Sequence, residues 1–311
     1  MVVILMGNVQ GHEFDLLGDE IRSRGSEVTI VDLDEWPSEK PVAQNVDEKS
    51  VRIGSETIPM ADVEGVFARP NTLFIPAVED RLHGSLSDAD NPYAALTQIR
   101  EYRGLFESVL QSLEYHGATV IPAVDALVWE EMNPYGCDLF DSMGIDVPET
   151  LATNDSAAAK QFLESHGKVV YKPVAGVGGA HVMTDDETEE LENLTTPVLF
   201  QEFLPGDDVR AYVLDGEFLG AFQYSYDDES FSFKWTDSEI AAEAVELPAS
   251  AKQDVLRAVE ATPADYATAD LRLGDDGSYS LIEVNAGGRF MLSDSSGITN
   301  VADALVTHLL D

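Results

Sequence analysis

Three oxygen-bearing side chains in the last part of the sequence have the types and spacing of a magnesium site. Asp270 lies in the apolar run TADLRL, and Glu283 and Asn285 lie in the run LIEVNA. Alternate residues of a strand share a face, so Glu283 and Asn285 point to the same side, and a hairpin at Asp275–Gly277 would bring Asp270 opposite them. Carboxylate and amide oxygens suit Mg²⁺. In so acidic a chain a chance cluster is the alternative, but carboxylates within apolar strands need a cation to offset their desolvation.

A second segment, VVYKPVAGVGGAHV, combines a lysine with a glycine-rich loop. A predicted buried strand ends at Lys172, and Gly176, Val177, Gly178 and Gly179 follow. Glycines allow backbone N–H groups to approach an anion closely, and a nearby lysine adds a positive charge, so the segment suits a phosphate group. The spacing is neither that of a P-loop nor G-x-G-x-x-G. Taken alone, the segment fits an ordinary flexible hairpin equally well.

A third segment, QEFLPGDDVR, runs from Gln201 to Arg210. The strand edge at Glu202–Leu204 could hydrogen-bond a purine, and Asp208 could accept hydrogen bonds from ribose hydroxyls. Read by itself, the segment also fits a hairpin closed by a salt bridge. Arg272 is interpreted as a salt-bridge residue that faces away from the metal.

The charge of the chain excludes several classes of partner. Its 311 residues include 58 acidic and 18 basic side chains, a net charge of −40 at pH 7. Such a chain cannot bind nucleic acid or anionic lipid through a cationic surface. With 44% hydrophobic residues it is nevertheless a folding chain. The acid excess resembles proteins of salt-accumulating halophiles, in which salt screens the self-repulsion; an acidic protein that excludes acidic partners is the alternative.

The single cysteine, Cys137, excludes an internal disulfide and a thiolate metal site and agrees with a reducing cytosol. The first residues, MVVILMG, are predicted to form a strand rather than a signal peptide. No apolar run approaches the ~18 residues that span a bilayer. We therefore expect a cytoplasmic protein without membrane or nucleic-acid partners.

The elements that must position these residues form two groups. Over residues 1–122, apolar strands alternate with helical periodicity, as in β-α-β units with a parallel sheet. After a link at 122–134, antiparallel strand signals dominate, and Asp215-Gly216 marks a type I′ hairpin turn. We predict an α/β (α+β) chain with a parallel β-α-β domain over 1–122 and a second domain over 123–311.

Taken together, the lysine and glycine loop, Q-E-F-L, D-D-x-R and the final D…E-x-N resemble the ATP-grasp superfamily, most closely its RimK-type and glutathione-synthetase-like branch. The resemblance covers Pro134 to the end, and the first domain is similar to the one that precedes the grasp. It implies a two-lobed ATP-grasp domain with antiparallel sheets, in which 134–198 would form a small lobe with the glycine loop and 199–311 a large lobe with the metal site. It also implies an ADP-forming ligase that joins a carboxylate to an amine through an acyl phosphate, with an amino acid such as glutamate as one candidate substrate. The implied cofactors are ATP and Mg²⁺, with two ions and with Mn²⁺ as a substitute.

The resemblance assigns nucleotide and metal roles by position. Lys172 would contact the ATP phosphates, and a mobile loop would close over them: Gly176, Val177, Gly178 and Gly179. Adenine would lie against a hinge segment composed of Gln201, Glu202, Phe203 and Leu204. Asp208 would bind the ribose. The ions that bridge the β- and γ-phosphates would be held by Asp270, Glu283 and Asn285.

The resemblance also assigns three cations to catalysis. Arg210 and Lys234, the latter within FSFKW, would lie near the γ-phosphate and the developing acyl phosphate. Arg289 would hold a substrate carboxylate in a bidentate pair. The implied substrates are a carboxylate and an amine, carried by a small molecule, a peptide, a coenzyme or a protein. A homo-oligomer stays open.

Two positions depart from the family pattern and keep alternatives open. The early lysine of the family is missing, and EEMNPY stands at 130–135. The usual N-x-x-P-G reads Asn285-Ala-Gly-Gly-Arg289. The missing lysine leaves open a nucleotide-binding protein without ligase activity. Gly7, Gly11 and Asp32 leave open a dinucleotide-dependent oxidoreductase that uses the N-terminal domain.

Overall fold

The protein is represented by a computed structural model, which describes residues 1–7, 12–33, 41–69, 92–129, 131–176, 179–184, 186, 189, 191–192, 194–226 and 239–311, with only the backbone of 92–99. Its contacts divide the chain into two compact units. The first comprises Met1–Val124 and Val301–Asp311, and the second comprises Asp125–Asn300. Within the described residues, none of the helices combines the length and apolar character needed to cross a membrane.

The first unit is built on a parallel sheet. Its elements are β1 (Val2–Gly7), α1 (Glu13–Ser23), β2 (Glu27–Asp32), β3 (Val42–Asn45), β4 (Ser50–Ile53), β5 (Glu56–Pro59), a 3₁₀ turn (Met60–Asp62), β6 (Val63–Arg69), α2 (Pro92–Tyr115) and β7 (Thr119–Ile121). The four-stranded sheet has the order β2-β1-β6-β7, with every pair parallel. Every residue of β1 is buried, as expected for a central strand covered on both faces. Strands β3, β4 and β5 form a separate antiparallel sheet.

The second unit contains two antiparallel sheets. Its elements are α3 (Ala126–Trp129), α4 (Asn133–Ser142), β8 (Thr150–Thr153), α5 (Ser156–His166), β9 (Lys168–Pro173), β10 (His181–Thr184), β11 (Val198–Glu202), β12 (Asp207–Leu214), β13 (Glu217–Ser225), β14 (Ala241–Ala244), α6 (Ala249–Glu260), β15 (Tyr266–Leu273), β16 (Tyr279–Ala286) and α7 (Met291–Ser295). The smaller sheet has the order β10-β9-β11-β8, and the larger has the order β14-β13-β12-β15-β16. This mixture of one parallel and several antiparallel sheets confirms the predicted α/β (α+β) class.

Local sequence signals explain several boundaries in the second unit. Helix α5 begins after Asp155, whose side chain accepts a hydrogen bond from the backbone of Ala157 at 2.9 Å. It ends at Gly167, which has a φ of 69° that favours glycine. The turn between β12 and β13 places Asp215 and Gly216 at φ values of 48° and 74°. Two successive positive φ values are those of the predicted type I′ turn.

The last helix, α8 (Val301–Leu310), packs in the first unit, whereas the sequence prediction assigned residues 301–311 to the second domain. Its apolar side contacts α1, β6 and β7. Arg24, directly after α1, donates a hydrogen bond to Thr307 Oγ1 at 2.7 Å and forms an ion pair with Asp303. No local pattern in the sequence signals this return across the second unit, because the contacts join segments far apart in the chain.

Gly65 of β6 makes room for this helix, and replacing it with alanine is expected to destabilise the first unit by about 1–3 kcal/mol. An added Cβ would lie 2.6 Å from the carbonyl oxygen of Leu309 and 2.9 Å from its Cδ2, so the helix would have to move. Urea denaturation of the whole chain measures the effect. The matched control is Gly104→Ala in α2, where nothing lies within 4 Å and helix propensity favours alanine. Equal midpoints for the two variants would contradict this account.

Candidate functional site

A cleft in the second unit gathers polar side chains from both of its sheets. It encloses about 790 Å³ of empty space, part of which is open to solvent. The predicted residues that line it are Lys172, Gly176, Gln201, Glu202, Leu204, Asp208, Asp270 and Glu283. A concave site of this size is typical of small-molecule binding. Segments that are distant in sequence therefore converge on one place.

The three side chains predicted to hold metal lie together on β15 and β16. Asp270 and Glu283 are directly opposed in the strand pairing. The Asn285 amide nitrogen lies 3.2 Å from Glu283 Oε1 and 3.3 Å from Asp270 Oδ2. Rotating this amide by a half turn would present its oxygen beside the two carboxylates. Two carboxylates and one amide oxygen suit Mg²⁺, which completes its shell with water and phosphate oxygens.

Other metal chemistries find less support in the described part of the chain. There, no group of three or more His, Cys, Asp and Glu side chains is placed to hold an ion. A zinc-type site would need such a group of nitrogen, sulfur and carboxylate ligands. The donor set of the cleft therefore fits a hard cation that brings phosphate oxygens with it.

Each of the two carboxylates pairs with a cation from another strand. Lys172 Nζ donates to Glu283 Oε2 at 2.8 Å, so β9 of the smaller sheet is joined to β16 of the larger sheet. Arg210 on β12 makes a bidentate pair with Asp270, with Nε–Oδ1 and Nη2–Oδ2 distances both 2.7 Å. All four side chains are largely buried, with at most 17% exposure. The protein thus neutralises its own cluster of acids.

Arg210 also lies near the aromatic ring of Tyr224. Its guanidinium carbon is 5.8 Å from the ring centroid of Tyr224, which also lines the cleft. Burial opposes the charge of Arg210, but the Asp270 carboxylate favours it, and the pKa of the guanidinium lies well above its ordinary value. Burial also raises the pKa of Tyr224, so this hydroxyl stays neutral. The arrangement holds a permanent positive charge beside the cleft.

The hinge segment, Gln201–Leu204, is held by contacts that the sequence did not reveal. Gln201 donates to Thr150 Oγ1 at 3.1 Å and lies 3.6 Å from Cys137 Sγ. Burial raises the pKa of the Cys137 thiol, which therefore stays protonated. These contacts fix the start of the hinge segment against β8 and α4.

Further along the hinge segment, Glu202 and Glu149 are joined by two hydrogen bonds. The Glu202 backbone N–H donates to the Glu149 carbonyl at 3.0 Å, and Glu202 Oε1 accepts from the Glu149 N–H at 2.9 Å. A purine would therefore be recognised by other backbone groups of the segment. The ring of Phe203 lies 3.5 Å from Lys168 Nζ, whereas Leu204 lines the cleft.

Asp208 forms an ion pair within the cleft wall. Its Oδ1 lies 3.3 Å from Arg272 Nη2, and Arg272 Nη1 donates to the Gly206 carbonyl at 2.9 Å. The predicted salt bridge of Arg272 is thus present. It lines the same cleft as Asp270, however, and does not lie on the opposite face of the sheet.

The remaining predicted residues have different surroundings. Gly176 has a φ of 73° and donates its N–H to the Pro173 carbonyl, and Gly179 begins the next described segment. Val177, Gly178 and Lys234 lie outside the described residues. The Arg289 side chain is exposed to solvent.

Two buried tyrosines fix the backbone that carries Arg289. Tyr212 donates its hydroxyl to the Arg289 carbonyl at 2.8 Å, and Tyr266 donates to the preceding carbonyl, that of Gly288, also at 2.8 Å. Both rings are fully buried. The loop after the predicted metal ligands therefore has a defined backbone beneath its exposed arginine.

Burial raises the pKa of Tyr212 to about 12 from its ordinary value of 10.0, which predicts a loss of stability at high pH. The folded protein keeps a proton that the unfolded chain releases, so this contribution is complete below pH 10.0 and is lost as the pH rises through about 12. Tyr212→Phe is expected to make the high-pH decrease in the free energy of unfolding smaller by about 2–3 kcal/mol. Urea denaturation of both proteins at stepwise pH measures it, and the pH 7 difference isolates the lost hydrogen bond. Parallel curves for the two proteins up to pH 12 would contradict the assignment.

Comparison with protein families gives a match over most of the second unit. A family model for the RimK-like ATP-grasp domain matches residues 135–309. This range contains every residue predicted to bind nucleotide or metal or to assist catalysis. The family match therefore covers all the residues that line the cleft.

Curated relatives match over part of their length. The chain is 30% identical over 144 residues to the tetrahydromethanopterin:alpha-L-glutamate ligase of Methanosarcina acetivorans, covering 38% of this chain and 44% of that protein. It is 26% identical over 189 residues to the glutathione synthetase of Escherichia coli (strain K12), covering 57% of this chain and 50% of that protein. The chain spans about half the length of these relatives.

A solved structure matches over almost the whole chain. It is the ATP-grasp ligase PsnB complexed with a phosphomimetic variant of its minimal precursor, Mg and ADP. The TM-score is 0.80 at 26% identity, with 99% of this chain and 97% of that chain covered. The similarity in fold extends beyond the second unit to the parallel sheet of the first and confirms the predicted architecture.

Proposed function

We propose that this chain, which belongs to the RimK-like ATP-grasp family, is an ADP-forming ligase that joins a carboxylate to an amine. ATP-grasp ligases use ATP and Mg²⁺, and one similar structure contains Mg and ADP. The observation that carries the proposal is that Asp270 and Glu283, which line the cleft, are in hydrogen-bond contact with Asn285, Lys172 and Arg210. The number of ions and the use of Mn²⁺ are part of the proposal.

The proposed reaction has two steps. A carboxylate oxygen of the acid attacks the γ-phosphorus of ATP, the bond to the β–γ bridging oxygen breaks, and ADP leaves. The amine nitrogen then attacks the carbonyl carbon of the acyl phosphate, inorganic phosphate leaves, and the nitrogen loses a proton. Both steps concentrate negative charge at the transferred phosphoryl group, so stabilisation by fixed positive charges is the main requirement.

The ion pairs of the cleft provide those charges. When bound, Mg²⁺ would bring positive charge to the carboxylates and to the phosphate oxygens. Lys172 and Arg210 are within hydrogen-bond distance of the same carboxylates, so they are placed to turn from Glu283 and Asp270 to the phosphates. Gly176 begins the loop that would exclude water and protect the acyl phosphate from hydrolysis. Lys234 is assigned a γ-phosphate contact by resemblance alone.

The proposed substrates are a small-molecule or peptide carboxylate and an amine. One relative is an alpha-L-glutamate ligase, and PsnB was solved with a peptide precursor. Arg289 is exposed on a backbone fixed by Tyr212, which is a suitable position for holding a substrate carboxylate. We therefore include glutamate among the first candidates for the amino-acid substrate.

A nucleotide-binding protein without ligase activity remains the second candidate. Residues 131–135 have no cation at the place of the family's early lysine. Instead Asn133 donates its side-chain amide to the carbonyl of Val174 at 3.1 Å, next to the glycine loop. The dinucleotide alternative gains no such observation. Gly7 is already required by packing, because an added Cβ would clash with the Arg69 carbonyl oxygen, and Gly11 lies outside the described residues.

The deciding experiment measures ADP release in a salt-rich buffer with ATP, Mg²⁺ and panels of acids and amines. Release that needs both an acid and an amine, with an amide product in the mass spectrum, supports ligation. ADP binding without release under any pair favours the second candidate. Binding of NAD(P)H but not of ATP would contradict both.

A further inference from the structure

We propose that Arg272 is a positioning residue for nucleotide recognition, which holds the Asp208 carboxylate where it accepts hydrogen bonds from the ribose hydroxyls. The inference rests on the proposed function, in which Asp208 lies at the ribose. Neither the roles predicted from the sequence nor the family match assigns Arg272 a part in nucleotide recognition. The sequence favours an ordinary salt bridge for this residue.

The geometry gives Arg272 two partners, Asp208 on the neighbouring strand β12 and Gly206 in the turn that precedes this strand. Its Nη2 lies 3.3 Å from Asp208 Oδ1, and its Nη1 donates to the Gly206 carbonyl at 2.9 Å. Asp208 and Arg272 are directly opposed in the pairing of β12 with β15. A guanidinium that binds a carboxylate and a backbone carbonyl together fixes the direction of the carboxylate as well as its charge.

The turn before Asp208 is also pressed against β15. Gly206 has a φ of 115°, and an added Cβ would lie 2.6 Å from the carbonyl oxygen of Leu273. This turn therefore has little freedom, and the Arg272 bond to Gly206 adds a second restraint. The side chain of Arg272 is only 8% exposed, so water competes weakly for these bonds.

The charge balance explains why a cation is needed at this place. Asp208, Asp270 and Glu283 all line the cleft that would hold an anionic nucleotide. Lys172 and Arg210 pair with the two acids that a metal ion would also bind. Arg272 differs because its acid is not a proposed metal ligand. Its pairing can persist in the loaded cleft and offset the repulsion between Asp208 and the phosphates.

The test compares ADP with 2′-deoxy-ADP, each with Mg²⁺, by isothermal titration calorimetry. The wild-type protein is expected to prefer ADP by about 10- to 100-fold, the range for a hydrogen bond to a charged group. Arg272→Met is expected to reduce the ratio of the two affinities to near one, mainly by weakening the binding of ADP. In the Asp208→Asn background, Arg272→Met is expected to leave the ratio unchanged, since the two residues act through one carboxylate.

The matched control is Arg257→Met in the same unit. Arg257 likewise bridges an acid and a backbone carbonyl, Asp254 at 2.8 Å and Met143 at 2.7 Å, but is not placed on the cleft. Its loss is expected to leave the ADP preference intact. If Arg272→Met does not fold, Arg272→Lys, which keeps the charge but not the two-point contact, is expected to show a reduced ratio.

The outcomes separate this inference from the proposed function. A wild-type protein that binds neither nucleotide would contradict the proposed function itself. A wild-type protein that binds both equally, or a folded Arg272 variant that keeps the full preference, would overturn the role of Arg272 while leaving nucleotide binding intact.

Discussion

Replacing Arg210 with leucine is expected to lower the free energy of unfolding by about 3 kcal/mol, because a largely buried carboxylate loses its partner. Among the described side chains, Asp270 would keep the weaker contact from Asn285 at 3.3 Å and would face Glu283 across the strand pair.

The double variant makes this prediction sharper. Asp270→Leu alone is expected to lower the free energy of unfolding by a similar amount, since it leaves the Arg210 guanidinium beside Tyr224 without its carboxylate partner. Arg210→Leu combined with Asp270→Leu is expected to be more stable than either single variant, as buried pairs replaced by apolar residues often are. Urea denaturation with a shared m-value provides all four free energies of unfolding.

The control for this cycle is the more exposed pair of Arg257 and Asp254, whose side chains are 39% and 19% exposed. Arg257→Leu is expected to cost no more than about 1 kcal/mol. Strictly additive effects of the Arg210 and Asp270 substitutions would show that the bidentate contact carries no coupling energy.

The second large effect is expected from Glu283→Gln, which should lower the rate of ADP release by at least about a hundredfold. Replacing residues that only support metal ligands already lowers metal affinity or activity by about 10–100-fold. The substitution also frees Lys172, whose Nζ now donates to Glu283 Oε2 at 2.8 Å. Without Mg²⁺, ADP should therefore bind the variant more tightly than the wild type, because the cleft has lost one negative charge and gained an available ammonium.

Calorimetry with ADP, with and without Mg²⁺, separates these two effects. The wild type should bind ADP much better with the ion, and the variant should lose most of that difference. Glu243→Gln, an exposed position on the edge strand β14, is the charge-matched control and should behave as the wild type. An unchanged response of the Glu283 variant to Mg²⁺ would remove Glu283 from the metal site.

The grouping of Asp270, Glu283 and Asn285 could be predicted from the sequence because its geometry is local. Glu283 and Asn285 share a face through strand alternation, and Asp270 reaches them across a short hairpin. The cation partners could not be predicted in the same way. Lys172 and Glu283 are 111 residues apart and lie in different sheets, so no local pattern joins them. The sequence indicates a salt bridge for Arg272 but not its partner, which is Asp208 on the adjacent strand.

In the fold, too, local features could be predicted from the sequence and long-range packing could not. Alternating apolar runs predicted the parallel strands β1, β2 and β6, and Asp215-Gly216 predicted the tight turn. Short strands such as β10 and β14 have only four residues each and produce no distinct periodicity. The placement of α8 also escaped prediction, since amphipathicity shows that a helix has a buried side but not which sheet covers it.

The position of α8 has a consequence for how the protein is made. The helix is synthesised after the whole of residues 125–300, yet it covers β6 and β7, which emerge from the ribosome much earlier. Until residues 301–310 appear, Gly65 lacks its contact with Leu309, while the second unit already contains all of its described strands. We expect the second unit to fold first during translation and the N-terminal sheet to finish last, the reverse of the usual order of domains along a chain.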